Sequence, residues 1–403
     1  MKFRTTIILF MIFILLLAIV LFFEFRGKGE KNVEEKLVNL SSDDVQEITF
    51  KKQKETISFK KDEKGEWFIT EPLEAKADNY EVNRLAEDFS SLKIERVVEE
   101  EPEELSSYDI PQREITLQYK SLDNPIRILI GMENPLDNTF FTKREDEQRI
   151  VLIPSHLKTI LDKNVFDFRQ KDIFKFETDE VKNIKLRAKD TRWEAAKKGD
   201  EWFFNAPVKA LAEKDKITTI LNSLSNLKAK DFLSEEKNKE EIKKYGFDKA
   251  EYEIILAMPV TNKEVTFSLH KEDENTYATT SLSPKIITVE STILSDLEKK
   301  AEELREKEVV NFHTWEASKL HLKREKLDIK VLKGKDDTWH FESSENDEAD
   351  GNKIRDFIRK IESLQAVEFI DPPLSLKNFG LDNPQAEITI WTKEEDAEKG
   401  KEF

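Results

Sequence analysis

Five histidines are the first residues whose chemistry can be weighed: His156, His270, His313, His321 and His340. A metal centre or an acid–base pair needs two of them to converge, for instance at i and i+4 of one helix. No pair has a helical spacing. His321 and His340 fall where neighbouring strands would bring them together, which is half of a metal site. The plainer reading is two strand residues, because the positions matching His340 elsewhere in the chain hold Phe68 and Phe203. The absence of cysteine excludes disulfides, thiolate ligands and cysteine nucleophiles. Only ten glycines are present, and there is no G-x-S-x-G, H-E-x-x-H, G-K-S/T or EF-hand pattern. The acidic run 99–104 reads as a solvated loop before it reads as a calcium site. No catalytic residue, cofactor or metal is therefore assigned.

Aromatic and basic residues offer a second kind of chemistry. Trp67, Trp202 and Trp339 are 135 and 137 residues apart, in the contexts KGEWFI, GDEWFF and DDTWHF. A repeated tryptophan can stack on a sugar ring, but a fixed offset beside apolar neighbours points first to core packing. Trp193, Trp315 and Trp391 do not repeat as a set, so they are the better candidates for an exposed indole. Two basic pairs, Arg169 with Lys171 and Arg305 with Lys307, lie 136 residues apart and suit ion pairs at module junctions better than ligand binding.

The elements that must position these residues form a repeat. Twenty-five residues after each repeated tryptophan comes a leucine: Leu92, Leu227, Leu364. Each leucine closes an apolar ladder with offsets 0, 3, 4, 7 and 10, which is one face of a helix. The ladders begin at Val82, Ile217 and Ile354, and Asp78 and Asp350 stand where an N-cap belongs, with Glu213 the weaker equivalent. Short strands over 45–50, 181–186 and 317–322 repeat at a spacing of 136. A turn motif follows each helix: Tyr108-Asp109, Tyr245-Gly246 and Phe379-Gly380, whose second residue suits a positive φ. Another strand comes next. The first two modules add a β-rich stretch (126–153, 264–289) and a closing helical segment (155–171, 292–307). The order β-β-α-β-β-β-α predicts an α+β fold, tandem modules of antiparallel sheet with helices on one face. The acidic stretches 99–104 and 234–241 are expected to be loops. The third module, 314–403, lacks a counterpart of 126–171 and is expected to be truncated, with an open sheet edge at 387–391.

Ahead of the modules, residues 7–23 are seventeen uninterrupted apolar residues. They predict a membrane-spanning helix over 7–25, preceded by a short tail, 1–6, and followed by a charged stalk, 26–41. No small-residue cleavage site follows, so the run reads as an anchor and not as a cleaved signal. The short tail places the N-terminus in the cytoplasm and the modules 42–176, 177–313 and 314–403 outside. The net charge of −17 makes the chain a poor partner for nucleic acid or anionic lipid.

With its single anchor, its Trp-Phe hairpin, its SLK or NLK helix end and the motif Phe379-Gly380-Leu381-Asp382-Asn383-Pro384, the chain resembles an uncharacterised bacterial family. That family is catalogued as a domain of unknown function and often occurs as tandem copies. The resemblance covers 42–403; the second module keeps Tyr245-Gly246-Phe247-Asp248, and the first has Asp109 for glycine. It implies an accessory or scaffold subunit beside gliding-motility-type ABC transporter components, and no catalytic residue. A cell-surface carbohydrate- or wall-binding protein is the alternative expectation.

Overall fold

The computed structural model describes residues 35–258, 263–334, 336–371, 374–392 and 401–402. It divides into two compact units, 1–171 and 172–403. The predicted anchor, 7–25, lies outside the described residues. Among the described residues no helix is long and apolar enough to cross a membrane.

The first unit is built on one sheet of nine antiparallel strands. They are β1 (Val45–Lys52), β2 (Glu55–Lys61), β3 (Trp67–Glu71), β4 (Ala75–Lys76), β5 (Arg96–Glu99), β6 (Arg113–Tyr119), β7 (Ile126–Glu133), β8 (Phe140–Arg144) and β9 (Ile150–Ile153). Their order is β4-β3-β2-β1-β6-β7-β8-β9-β5. Val45, Ile48 and Phe50 all face the core although strict alternation would not put 45 and 48 on one side. A bulge between Val45 and Glu47 supplies the extra residue that restores the face. The helix Asn79–Ser90 lays its whole ladder into this core, from Val82 to Leu92. Asp78 caps it, accepting hydrogen bonds from the backbone N–H of Tyr80 and Glu81.

The second unit holds two modules. The first of them repeats the nine-stranded sheet with β10 (Asn183–Ala188), β11 (Thr191–Lys198), β12 (Glu201–Ala206), β13 (Ala210–Ala212), β14 (Asp231–Ser234), β15 (Tyr252–Met258), β16 (Lys263–Glu272), β17 (Asn275–Thr280) and β18 (Ile286–Val289). The strand order is the same, β13-β12-β11-β10-β15-β16-β17-β18-β14. The helix Lys214–Ser225 buries Ile217, Ile220, Leu221 and Leu224, and its cap residue Glu213 makes no side-chain bond. Among the described residues the last module has six strands: β19 (Ala317–Arg324), β20 (Leu327–Lys333), β21 (Trp339–Phe341), β22 (Ser344–Ala349), β23 (Glu387–Thr392) and β24 (Lys401–Glu402). Their order is β22-β21-β20-β19-β23-β24.

Several expectations are corrected here. The stalk predicted to run to residue 41 does not: from Glu35 the chain docks on the first unit, and Leu37 and Val38 are buried in its core. The segments after the helices are not simply loops. Arg96–Glu99 and Asp231–Ser234 close the far edge of each sheet against β9 and β18, and Lys239–Lys244 is a helix capped by Asn238. Each closing helical segment breaks in two, Lys158–Leu161 with Val165–Phe168 and Ile293–Leu297 with Ala301–Leu304. The edge of β23 is partly covered, because Trp391 and Thr392 pair with β24. On β23 itself Ile390 is buried, Trp391 half-buried and Ile388 exposed.

Candidate functional site

Trp67, Trp202 and Trp339 are each at most 2 % exposed and lie in the three separate apolar cores. Their burial removes them as a sugar platform. The first indole is also tied polar-end first: its Nε1 donates to Asn83 Oδ1 at 2.7 Å, and its backbone N–H to Asn79 Oδ1 at 2.7 Å. Asn83 is replaced by Arg355 in the third module, and the buried Nε1 of Trp339 has no acceptor. Trp193, read as a candidate for exposure, is buried instead and stacks edge-on against Phe204. Trp315 is the exposed one, at 70 %.

The repeated leucines mark a backbone clasp. The N–H of Leu37 donates to the carbonyl of Leu92 at 2.8 Å, that of Ile173 to Leu227 at 3.4 Å, and that of Val309 to Leu364 at 3.2 Å. The donors are 136 residues apart. So each module's opening segment is held by the residue that closes the helical ladder. Leu92 and Leu227 are buried beneath it; Leu364 is 49 % exposed, since the third module has no closing helix among its described residues to cover it. A second clasp holds each closing segment. Asp78 N donates to Phe168 O and Gln170 N to Lys76 O; Glu213 N donates to Leu304 O and Glu306 N to Leu211 O, all at 2.7–3.0 Å. Asp109, Gly246 and Gly380 all have positive φ, 53°, 73° and 70°. Gly246 carries an additional constraint, for a Cβ there would lie 2.2 Å from the His270 ring.

The basic pairs sit at these closing segments. Arg169 is buried and its backbone bridges to Ala77; Lys171 lies over the Phe166 ring at 4.5 Å. Arg305 bridges by its backbone to Ala212, while its guanidinium pairs with Asp371 and lies 3.7 Å over the ring of Phe369. Both partners belong to the third module. Lys307 presents its carbonyl to the N–H of Ala366 at 2.7 Å and lines a polar cleft of about 430 Å³ with Glu213, Lys216 and Gln365. The stretch 304–309 therefore stitches the second module on one side and the third on the other.

The remaining polar clusters also repeat as ties. Tyr252 donates to Glu298, which pairs with Lys189 at 2.8 Å. Burial, then the Glu298 hydrogen bond, pushes the Tyr252 phenol up to about 12. Lys189 above all, and then Tyr252, holds the Glu298 carboxyl below its usual range, and Glu298 in turn raises the Lys189 amine. In the first unit Arg113 pairs with Asp162 at 3.1 Å in the same place, between the strand after the turn motif and the closing helices. Two matched clefts lie at the helix ends. One, of about 360 Å³, has Asp88, Leu92 and His156; the other, of about 500 Å³, has Ser223, Leu227 and Asp296. Burial raises the Asp88 carboxyl. In the second cleft the equivalent Ser223 instead donates to Asp296 at 2.7 Å. His321 bonds Asp328 and His340 bonds Thr338, so the two do not share a ligand. Among the described residues no group of three or more acidic or histidine side chains is placed to hold a metal ion.

Three clasped, homologous modules define a tandem-repeat protein whose repeated residues are structural. The family profile of a domain of unknown function, DUF4340, matches the chain twice, over residues 67–249 and 202–384. The chain belongs to that family. Both matches begin on a repeated tryptophan and run past the next module's turn motif. No curated protein matches the chain. Solved structures similar to it include two of the DNA polymerase sliding clamp from Pseudomonas aeruginosa, one of them with ligand. Each is 8 % identical with a TM-score of 0.13; the alignments cover 89 % and 91 % of this chain and 90 % and 92 % of those chains. A likeness that low carries no argument.

Proposed function

We propose that this protein is a non-catalytic scaffold: a modular extracytoplasmic body, anchored in the cell membrane through residues 7–25, that serves as an accessory subunit of an ABC-type transport system. The observation that carries the scaffold reading is the clasp. The same backbone bonds recur at 136-residue intervals, and in the second unit Arg305 adds an ion pair and a ring contact across the junction. The chemistry that recurs in each module is spent on holding its opening and closing segments, and within the second unit on joining two modules. The matched clefts, by contrast, carry different polar groups, Asp88 with His156 in one and Ser223 with Asp296 in the other. A shared reaction would need the same groups in both. The anchor is supported by the apolar run 7–23, and the transport partner by the family resemblance.

The test is purification of the full chain from native membranes in mild detergent, followed by identification of the proteins that remain bound. ATP-binding and permease subunits of an ABC transporter are expected in near-stoichiometric amounts. Their absence from an intact preparation refutes the accessory role.

A further inference from the structure

Three positions change together in the third module. Ser41, Glu177 and His313 lie four residues before Val45, Val181 and Ala317; Asp43, Asp179 and Trp315 lie two before; Ser90, Ser225 and Glu362 lie two before the clasp leucines. In the first two modules the serines tie the opening segment down: the Ser90 carbonyl accepts from Leu40 N–H, and Ser225 Oγ donates to the Phe176 carbonyl. In the third, Glu362 reaches outward. Its carboxylate accepts the backbone N–H of Thr314 at 3.0 Å, accepts the Thr314 hydroxyl, and bonds His313 Nδ1 at 3.1 Å. Glu316 closes the turn, accepting from His313 N–H at 2.7 Å while its own N–H donates to the His313 carbonyl at 2.8 Å. The outcome is two stacked rings, His313 and Trp315, with centroids 5.7 Å apart and planes 15° from parallel.

The indole faces solvent for a local reason. Asp43 and Asp179 are exposed at the same place in modules with nine-stranded sheets. The six strands of the third module thus do not account for the exposure of Trp315. Five hydrogen bonds hold the turn that presents it, which lowers the ordering cost of binding. The residues flanking the indole in sequence are polar: Thr314, Glu316 and Ser318. His313 Nε2 has no partner among the described residues, leaving a ring nitrogen free beside the indole.

We propose that His313, Trp315 and Glu362 form a stacking platform for one pyranose ring of an oligosaccharide. A pyranose offers an apolar C–H face ringed by hydroxyls, which complements a flat apolar indole ringed by polar groups. His313 Nε2 bonds a hydroxyl, and Glu362 acts as a positioning residue by fixing the imidazole. The inference stands independently of the transport reading.

The test is titration of the full chain with cellotetraose, chitotetraose and maltotetraose, followed by calorimetry. At least one is expected to bind. Trp315→Ala is expected to weaken that binding at least tenfold with an unchanged thermal midpoint, and Glu362→Gln to weaken it severalfold. The proposal is overturned if none of the three binds, if Trp315→Ala binds as the parent does, or if Trp315→Ala lowers the midpoint and so reveals a structural indole.

Discussion

At the scale of residues, the buried tryptophans make unequal demands. Trp202 fills the core of the second module, and Trp202→Ala should cost about 3–5 kcal/mol by the usual large-to-small penalty. Denaturant unfolding reads this directly, and an unchanged midpoint would move the indole out of the core. Trp339 is just as buried but lacks the acceptor that Asn83 gives Trp67. An unmet buried donor costs about 1–3 kcal/mol. Arg355→Asn restores the residue type of the first module and should stabilise the third by about 1 kcal/mol, measured as a rise in its thermal midpoint. Tyr252 predicts a pH effect. Its phenol titrates near 12 in the folded chain against 10.0 ordinarily, so the folded state keeps the proton longer. That contribution is whole below pH 10 and is lost as pH rises from 10 to 12. Glu298 has the opposite sign: its lowered folded value gives stability above the ordinary glutamate range, lost as pH falls through it. Tyr252→Phe should flatten the alkaline limb of the stability curve and spare most of the acid limb, because Lys189 is the larger cause at Glu298. An alkaline limb of unaltered slope would show that another group sets it.

At the scale of elements, legibility followed the range of the contacts. The helices were plain in the sequence, because offsets 0, 3, 4, 7 and 10 are local and all five positions of the first ladder are buried. The N-caps Asp78 and Asp350 were equally plain. The strands Arg96–Glu99 and Asp231–Ser234 were not, since four residues with a charged end acquire strand geometry only from pairing with β9 and β18, more than fifty residues on. Leu364 misled for the same reason: its pattern is that of Leu92, but its exposure depends on elements the ladder does not encode. The stacked pair His313 and Trp315 carried one sequence signal, the failure of Trp315 to repeat. The third module's post-helix segment gives an experimental check. Residues 366–371 have no strand partner among the described residues, whereas 96–99 and 231–234 do. Amide exchange should be markedly faster over 366–371, apart from Ala366, whose N–H is bonded to Lys307. Equal protection at all three places would mean that another segment pairs there.

At the scale of the whole molecule, the three modules have separate cores. Twenty-eight and thirty-one buried apolar residues form the first two, and eight form the third among those described. Apolar burial contributes about 25 cal/mol per Å², so the third core is the least stabilised. The repeat itself was legible because 136-residue coincidences in tryptophan, leucine and turn residues reinforce one another, whereas the bond joining modules was invisible: Val309 and Leu364 show no pairing pattern in sequence. The proposed topology rests on the proposed anchor, residues 7–25. Protease added to intact cells is expected to digest the body to a short anchored stub, and protection until the membrane is opened would reverse the assigned orientation.

The stitching by residues 304–309 bears on how such a chain can grow. Glu306 bonds back to Leu211 and Val309 forward to Leu364, so the seam between two modules is made by consecutive residues of the chain. A gene duplication that copies a stretch from any point in one module to the same point in the next copies one whole seam with it. The descendant needs no newly evolved interface to be joined, and it lengthens by one full repeat. The two family matches each start on a tryptophan and extend beyond one repeat, so that they overlap along the chain.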